Sequence, residues 1–200
     1  PRMITQTHLK SLPVCYHGQS AALCALELRP QVQAADIREI HVEAYRGSVA
    51  MMGSDPTRWA PTTRETADHS LPFVIATALL DGAITDDSYA PAKFTDPAVI
   101  GLMRKVKVSE DAQMSAQYPE SAPGRVTITT ISGAVLTREM RYPIGHAKNP
   151  MSDAAVEVKF RELLRGRCDV SRGEQLLQTL WAFERVTDIR GEVLDLLAAD

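Results

Sequence analysis

Apolar and polar positions along the chain repeat with two different periods. Leu71, Val74, Ile75, Ala78 and Leu79 follow i, i+3, i+4, i+7, i+8 spacing, the period of a helix with a buried face. Pro72 is tolerated only in a first turn, so that helix starts near Asp68 to Ser70, and Gly82 is placed to end it. Ala21, Cys24, Ala25 and Leu28 share one face of a shorter helix over residues 20–28, which Pro30 closes. Asp96-Pro97 opens a third helix, a capping acid followed by proline at the first helical position, and it carries Val99, Ile100 and Met103.

Period two takes over elsewhere. Over residues 37–45, Ile40 and Val42 fall on one side and His41 and Glu43 on the other, the alternation of a half-buried strand. Residues 105–108 predict a second strand. Residues 126–131 and 135–142 flank Ser132-Gly133, a hairpin signal. Residues 46–63, rich in Gly, Pro, Thr and Ser, predict one long loop. The fold class that follows is α+β: roughly four strands, mostly antiparallel, with helices on one face. After Pro150 only helices are predicted. One starts at Ser152-Asp153 with Val156, Phe160, Leu163 and Leu164, a second holds Leu176, Leu177, Leu180, Trp181 and Phe183, and a short third holds Val193, Leu194 and Leu197. These tail helices are apolar on more than one face. The predicted boundary divides residues 8–145 from residues 146–200.

Composition narrows the function classes. Apolar residues make up 44% and charged residues 24% of the 200, enough for a packed core. A net charge of −3 argues against a broad nucleic-acid surface while leaving room for a local anion site. No apolar run approaches the length of a membrane span, and the opening PRMITQTHLK lacks an apolar signal core. Cys15, Cys24 and Cys168 are odd in number and unpatterned, so a reduced, cytoplasmic setting is expected.

Three short segments concentrate chemistry. Asp68-His69-Ser70 puts acid, imidazole and hydroxyl side by side, but neighbours at a helix start point in different directions, so they cannot form a hydrolase triad. Either Asp68 or Ser70 caps the helix while His69 packs nearby, or His69 and Asp68 face a pocket where an anion could bind. The stretch from Lys10 to Ser20 gathers an amine, an imidazole, an amide and a hydroxyl just before a helix. It is an ordinary polar loop or a carboxylate-binding and proton-transfer loop in which Lys10 and His17 supply charge and acid/base capacity. Cys15 and His17 alone are too few for zinc. Tyr142-Pro-Ile-Gly-His-Ala-Lys-Asn-Pro150 is a basic connector or a bend at Gly145 that projects His146 and Lys148. P-loop, GxGxxG and HExxH patterns are absent.

These segments, in this order, resemble the MmgE/PrpD family. The likeness rests on K-x-x-P-x-x-x-H-x-Q-[ST]-A at Lys10 to Ala21, on R-E-T-A-D-H-S-L-P-[FY] at Arg64 to Phe73 with L-L-D-G at Leu79 to Gly82, and on Y-P-x-G-H-x-x-x-P at Tyr142 to Pro150. The resemblance implies an α+β lid over residues 8–145, followed by helices that return to a large helical domain formed mostly by the N-terminal half of family chains. It implies a lyase without metal or organic cofactor, acting next to a carboxylate of a small tricarboxylate. Loss of water in the manner of 2-methylcitrate dehydratase is expected; decarboxylation of cis-aconitate and epimerisation of an iminodisuccinate are the alternatives, and a non-catalytic remnant serving as a dimerisation module is the rival outside enzymes. Lys10 and His17 are the expected catalytic residues; Gln19, His69 and His146 are expected to bind substrate. The expected partners are that substrate and either a helical N-terminal half or further copies of the chain, with neither nucleic acid nor membrane. The remaining acid/base residues of the family site would lie outside these 200 residues.

Overall fold

The structure, a computed structural model, describes residues 3–197. They fall into two compact units that divide between Pro150 and Met151. In the first unit, α1 (Gln19–Leu28) precedes β1 (Ile37–Ala44), and α2 (Arg46–Met52) follows at once. Next come α3 (Arg64–Asp68), α4 (Leu71–Asp81), α5 (Pro91–Phe94) and α6 (Pro97–Met103). The chain then runs through β2 (Val106–Glu110), α7 (Ala112–Gln117), β3 (Gly124–Thr130) and β4 (Val135–Met140).

The four strands form one sheet in the order β2-β1-β3-β4. β1 pairs with β3, and β3 with β4, in antiparallel register. β1 and β2 are parallel, which requires a long crossover; residues 45–105, with the helices α2 to α6, supply it. Ile40, Val42, Val126 and Ile128 are fully buried on one face. On the other face Arg125 bridges Glu43 and Glu139, each at 2.9 Å, and Thr127 meets Thr137 at 3.2 Å. Helices therefore cover a single face, as the alternation predicts. α1 lies across β3 and β4, and α4 packs on α1, α6 and β2.

α4 is the centre of this unit. Every residue from Leu71 to Leu79 is buried, more than the single apolar face its spacing predicts, because neighbours close on it from several sides. Its ends are those read from the residues. Ser70 caps the first turn by accepting from the Phe73 amide at 3.1 Å, Pro72 sits in that turn, and Gly82 closes the helix at φ 73°. Thr63 caps α3 just upstream in a reciprocal box with Thr66.

The long loop expected at 46–63 is corrected. It contains α2 and a 3-10 turn at Pro56–Trp59. Gly47 and Ser48 weaken helix propensity at the start of α2, which hides it from pattern reading. Tertiary contacts supply the difference: Met52 and Ser48 are fully buried, and Ser48 donates to the His17 carbonyl at 2.8 Å.

The second unit contains α8 (Asp153–Leu164), α9 (Val170–Trp181), a π-helical turn at Arg190–Leu194 and α10 (Asp195–Leu197). Arg161 ties α8 to α9 by pairing with Glu157 at 3.2 Å and Glu174 at 2.6 Å. Leu176, Leu177 and Val193 are buried, while Val158, Leu163, Val170, Trp181 and Phe183 are each about half exposed or more. A cleft of about 420 Å³ between α8 and α9 is lined by Val158, Phe160, Leu164 and Val170. Among the described residues no helix is long and apolar enough to cross a membrane.

Candidate functional site

The loop before α1 is held from several sides. Gln19, 1% exposed, donates its two amide hydrogens to the Leu12 and Val14 carbonyls, both at 2.9 Å, and accepts from the Leu12 amide at 3.3 Å. Tyr89 donates its hydroxyl to the Pro13 carbonyl at 2.7 Å, and the Cys15 amide donates to the Asp68 carbonyl at 3.1 Å. With Ser48 on the His17 carbonyl, the loop is fastened to α1, to the end of α3 and to α2. The Gln19 amide, expected to bind substrate, is spent on the loop backbone, where it shapes the loop that carries His17.

His17 emerges from this clamp half-buried. Its Nδ1 lies 2.6 Å from the Tyr45 hydroxyl. Tyr118 stacks on Tyr45 with ring centres 4.6 Å apart and stands 6.0 Å from the His17 ring. Burial, with a smaller push from His69, holds the His17 pKa below the usual imidazole value. Lys10 is exposed at the start of the same loop, and its charge is felt at Cys15, where burial nevertheless pushes the thiol up. Burial thus favours the protonated thiol at Cys15.

His69 sits at the end of α3. Its Nδ1 bonds both the Asp68 carboxylate and the Glu65 carbonyl. Both partners are acceptors, so Nδ1 carries the hydrogen. Ser70 turns the other way, with its hydroxyl on the Arg58 carbonyl and the Phe73 amide, and it is fully buried. Asp68-His69-Ser70 is a helix boundary carrying an Asp–His pair, not a triad.

His146, 4% exposed, occupies a tight turn. Its Nδ1 accepts from the Lys148 amide at 3.0 Å, which leaves the hydrogen of the neutral ring on Nε2. Its ring packs on His8 at 4.1 Å and on Tyr142 at 4.8 Å between centres. Burial, then the charges of His8 and Lys148, holds the His146 pKa below the usual value, with Glu120 opposing. Lys148 itself pairs with Glu120.

These pieces join into one run of rings. His146 packs on His8, His8 stacks on Tyr16 at 5.3 Å, and Tyr16 meets His17 edge-on at 6.3 Å. Three of the five histidines thus lie along this run, and His69 follows Asp68, whose carbonyl accepts from the Cys15 amide of the same loop; His41 is elsewhere, on β1, bonded to Ser109 at 2.8 Å. Lys10, His17, His69 and His146 are brought to one region. His8, Tyr45 and Tyr118 were not singled out in the sequence. His8 stands two residues before Lys10, a usable hint; Tyr45 and Tyr118 carry no local signal. Such an arrangement can hold carboxylates with an ammonium and N–H donors, and burial favours the neutral form of the His17 and His146 rings. Among the described residues no group of three His, Cys, Asp or Glu side chains is placed to hold a metal ion.

The depressed imidazoles predict a pH dependence of stability. The unfolded chain protonates near the ordinary value of 6.5, while the folded chain resists until a lower pH. Their contribution is complete above the unfolded value and is lost as pH falls through the folded values. Urea unfolding should therefore show a lower midpoint at about pH 5.5 than at about pH 7.5, a window above the carboxylate range. An unchanged midpoint would contradict the depression.

The MmgE/PrpD C-terminal domain model matches residues 12–184. The 2-methylcitrate dehydratase of Yarrowia lipolytica mitochondria is 27% identical over 84% of this chain and 34% of its own length. That of Cupriavidus necator is 25% identical over 84% of this chain and 36% of its own. The cis-aconitate decarboxylase of Aspergillus terreus is 27% identical over 86% of this chain and 35% of its own. The chain spans about a third of the length of these curated relatives. The family match covers the Lys10 loop from Leu12 onward, the Asp68-His69 helix boundary, the His146 turn and most of the second unit, and by it the chain belongs to the MmgE/PrpD C-terminal domain family.

Proposed function

We propose that this chain supplies one side of the active site of a cofactor-independent lyase that removes water from a small tricarboxylate of the 2-methylcitrate type. The observation that carries the reading is that the loop bearing Lys10 and His17 is tied by backbone bonds to Gly145, next to His146, and to Asp68, next to His69. Elimination needs a base for the proton next to a carboxylate, an acid for the departing hydroxyl, and cations for the carboxylates that do not react. Lys10 supplies a cation, and His17 meets the same substrate; these two are the catalytic residues of the proposal. His69 and His146 supply further N–H donors. Gln19 acts through the loop it holds. The remaining acid/base groups come from a helical part outside these 200 residues, supplied by the same protein or by a partner, and the half-exposed apolar side chains of α8 and α9 are surfaces such a part could cover. The working setting is the cytoplasm.

The A. terreus relative supports a second reading, cis-aconitate decarboxylase-like activity, since its identity equals that of the Y. lipolytica dehydratase. The test offers 2-methylcitrate and cis-aconitate in parallel to this chain alone and to this chain mixed with the part of a full-length relative that it does not cover. Absorbance reports the unsaturated product of dehydration, and released carbon dioxide reports decarboxylation. Dehydration only in the mixture is expected. Carbon dioxide instead would select the second reading, and silence in every arm would count against both.

A further inference from the structure

The deepest ring pair defines how His17 works. Tyr45 is 1% exposed, and its hydroxyl has one hydrogen-bond partner among the described residues, the His17 Nδ1 at 2.6 Å. A phenol hydroxyl that accepted from an Nδ1–H would leave its own hydrogen buried without an acceptor, which is costly. A phenol that donates leaves nothing unmet. The bond therefore runs from the Tyr45 hydroxyl to Nδ1, and the hydrogen of the neutral ring is on Nε2.

Three features hold the pair in place. Tyr118 stacks face to face on Tyr45, with 10° between the ring planes. The Ser48 hydroxyl fastens the His17 carbonyl at 2.8 Å. Gly47 leaves the space both rings need, since a Cβ there would come 3.1 Å from the Tyr45 ring and 3.5 Å from the His17 ring. Burial favours the uncharged ring, consistent with the lowered His17 pKa. Nε2 has no hydrogen-bond partner among the described residues.

We infer that Tyr45 is a positioning residue that fixes His17 as the neutral Nε2–H tautomer, so that His17 meets a substrate oxygen as a hydrogen-bond donor and not as the base that takes the carbon-bound proton. A neutral imidazole with Nδ1 engaged has no lone pair free on Nε2 to accept that proton. It can hold a carboxylate oxygen or the departing hydroxyl. The functional half of this inference rests on the lyase reading; the tautomer does not.

Nitrogen-15 NMR of the whole chain separates the two. Above the His17 titration, Nδ1 is expected to give the signal of an unprotonated, hydrogen-bonded nitrogen, and Nε2 that of a protonated one. Tyr45→Phe keeps the ring that stacks on Tyr118 and is expected to move the Nδ1 signal toward that of a free ring nitrogen. A wild-type Nδ1 that carries its own hydrogen would overturn the inference, and so would an Nδ1 signal that Tyr45→Phe leaves unmoved. Neither reading depends on turnover, so a failed tautomer test leaves the lyase proposal standing with His17 as a base, and a failed dehydration assay leaves the tautomer standing.

Discussion

Lys10→Ala is expected to leave the fold intact and, in the proposed lyase, to lower turnover by roughly 100-fold or more. Lys10 is exposed at the start of the loop, and exposed substitutions away from caps and buried networks usually change stability by less than about 0.5 kcal/mol. The melting curve should therefore be unchanged. The kinetic loss is larger because the ammonium would act in the closed site, where it meets a carboxylate that strengthens as charge develops. Removing one such group costs about 3 kcal/mol at the transition state. Lys10→Arg should recover only part of the loss, since a flat guanidinium does not replace a compact ammonium. Steady-state rates with 2-methylcitrate decide the matter: turnover near that of the unaltered chain would remove Lys10 from the site.

Gly145→Ala should be the most damaging change of a single carbon. Gly145 has φ +91°, and a Cβ there would lie 1.7 Å from the Leu9 carbonyl oxygen. The obstacle is backbone, so no side chain can swing aside. The glycine also holds the segment it touches: its carbonyl accepts from the Leu9 amide at 2.9 Å and its amide donates to the Asn149 carbonyl at 2.8 Å. Relief comes most cheaply if the stretch around Leu9 lifts away, because the sheet and α4 need not change. His8 then leaves the His146 ring, and Lys10 leaves its place. The strained φ and the lost contacts together cost about 2 kcal/mol. A modest drop in melting temperature is expected, with loss of the ring-current shift between His8 and His146 and a fall in turnover like that of Lys10→Ala. If the variant kept both the shift and the rate, the turn would not be what places Lys10.

The two substitutions probe different levels of the sequence. α4 was legible because its information is local: the apolar spacing from Leu71 to Leu79, a proline allowed only in a first turn, a serine before it and a glycine after it. Each acts over a few residues through sterics and backbone hydrogen bonding, and the structure places each in that part. The same holds for the hairpin at β3 and β4 and for the polar face that carries His41 and Glu43. The motif segments were legible as segments. Where they meet was not, because Tyr45 reaches His17, and His8 reaches His146, only after the chain has closed on itself.

Gln19 and α2 owe their surroundings to contacts that no short window contains. Gln19 is expected at the substrate because the loop resembles the family motif. Its hydrogen bonds to Leu12 and Val14 depend on how the loop doubles back over the start of α1. α2 looked like loop because glycine and serine weaken its first turn, and the burial of Ser48 and Met52 that stabilises it comes from elements distant in sequence. By itself the sequence determined the α+β class, the positions and ends of its principal helices, and the family, since periodicity, caps and motifs act between near neighbours. Only the tertiary structure decided the parallel place of β2 beside β1, the burial of Gln19, and the assembly of His8, His17, Tyr45 and His146 into one run of rings. Those outcomes require long stretches of chain to close, and the energy that closes them is burial and packing, which no short window of residues contains.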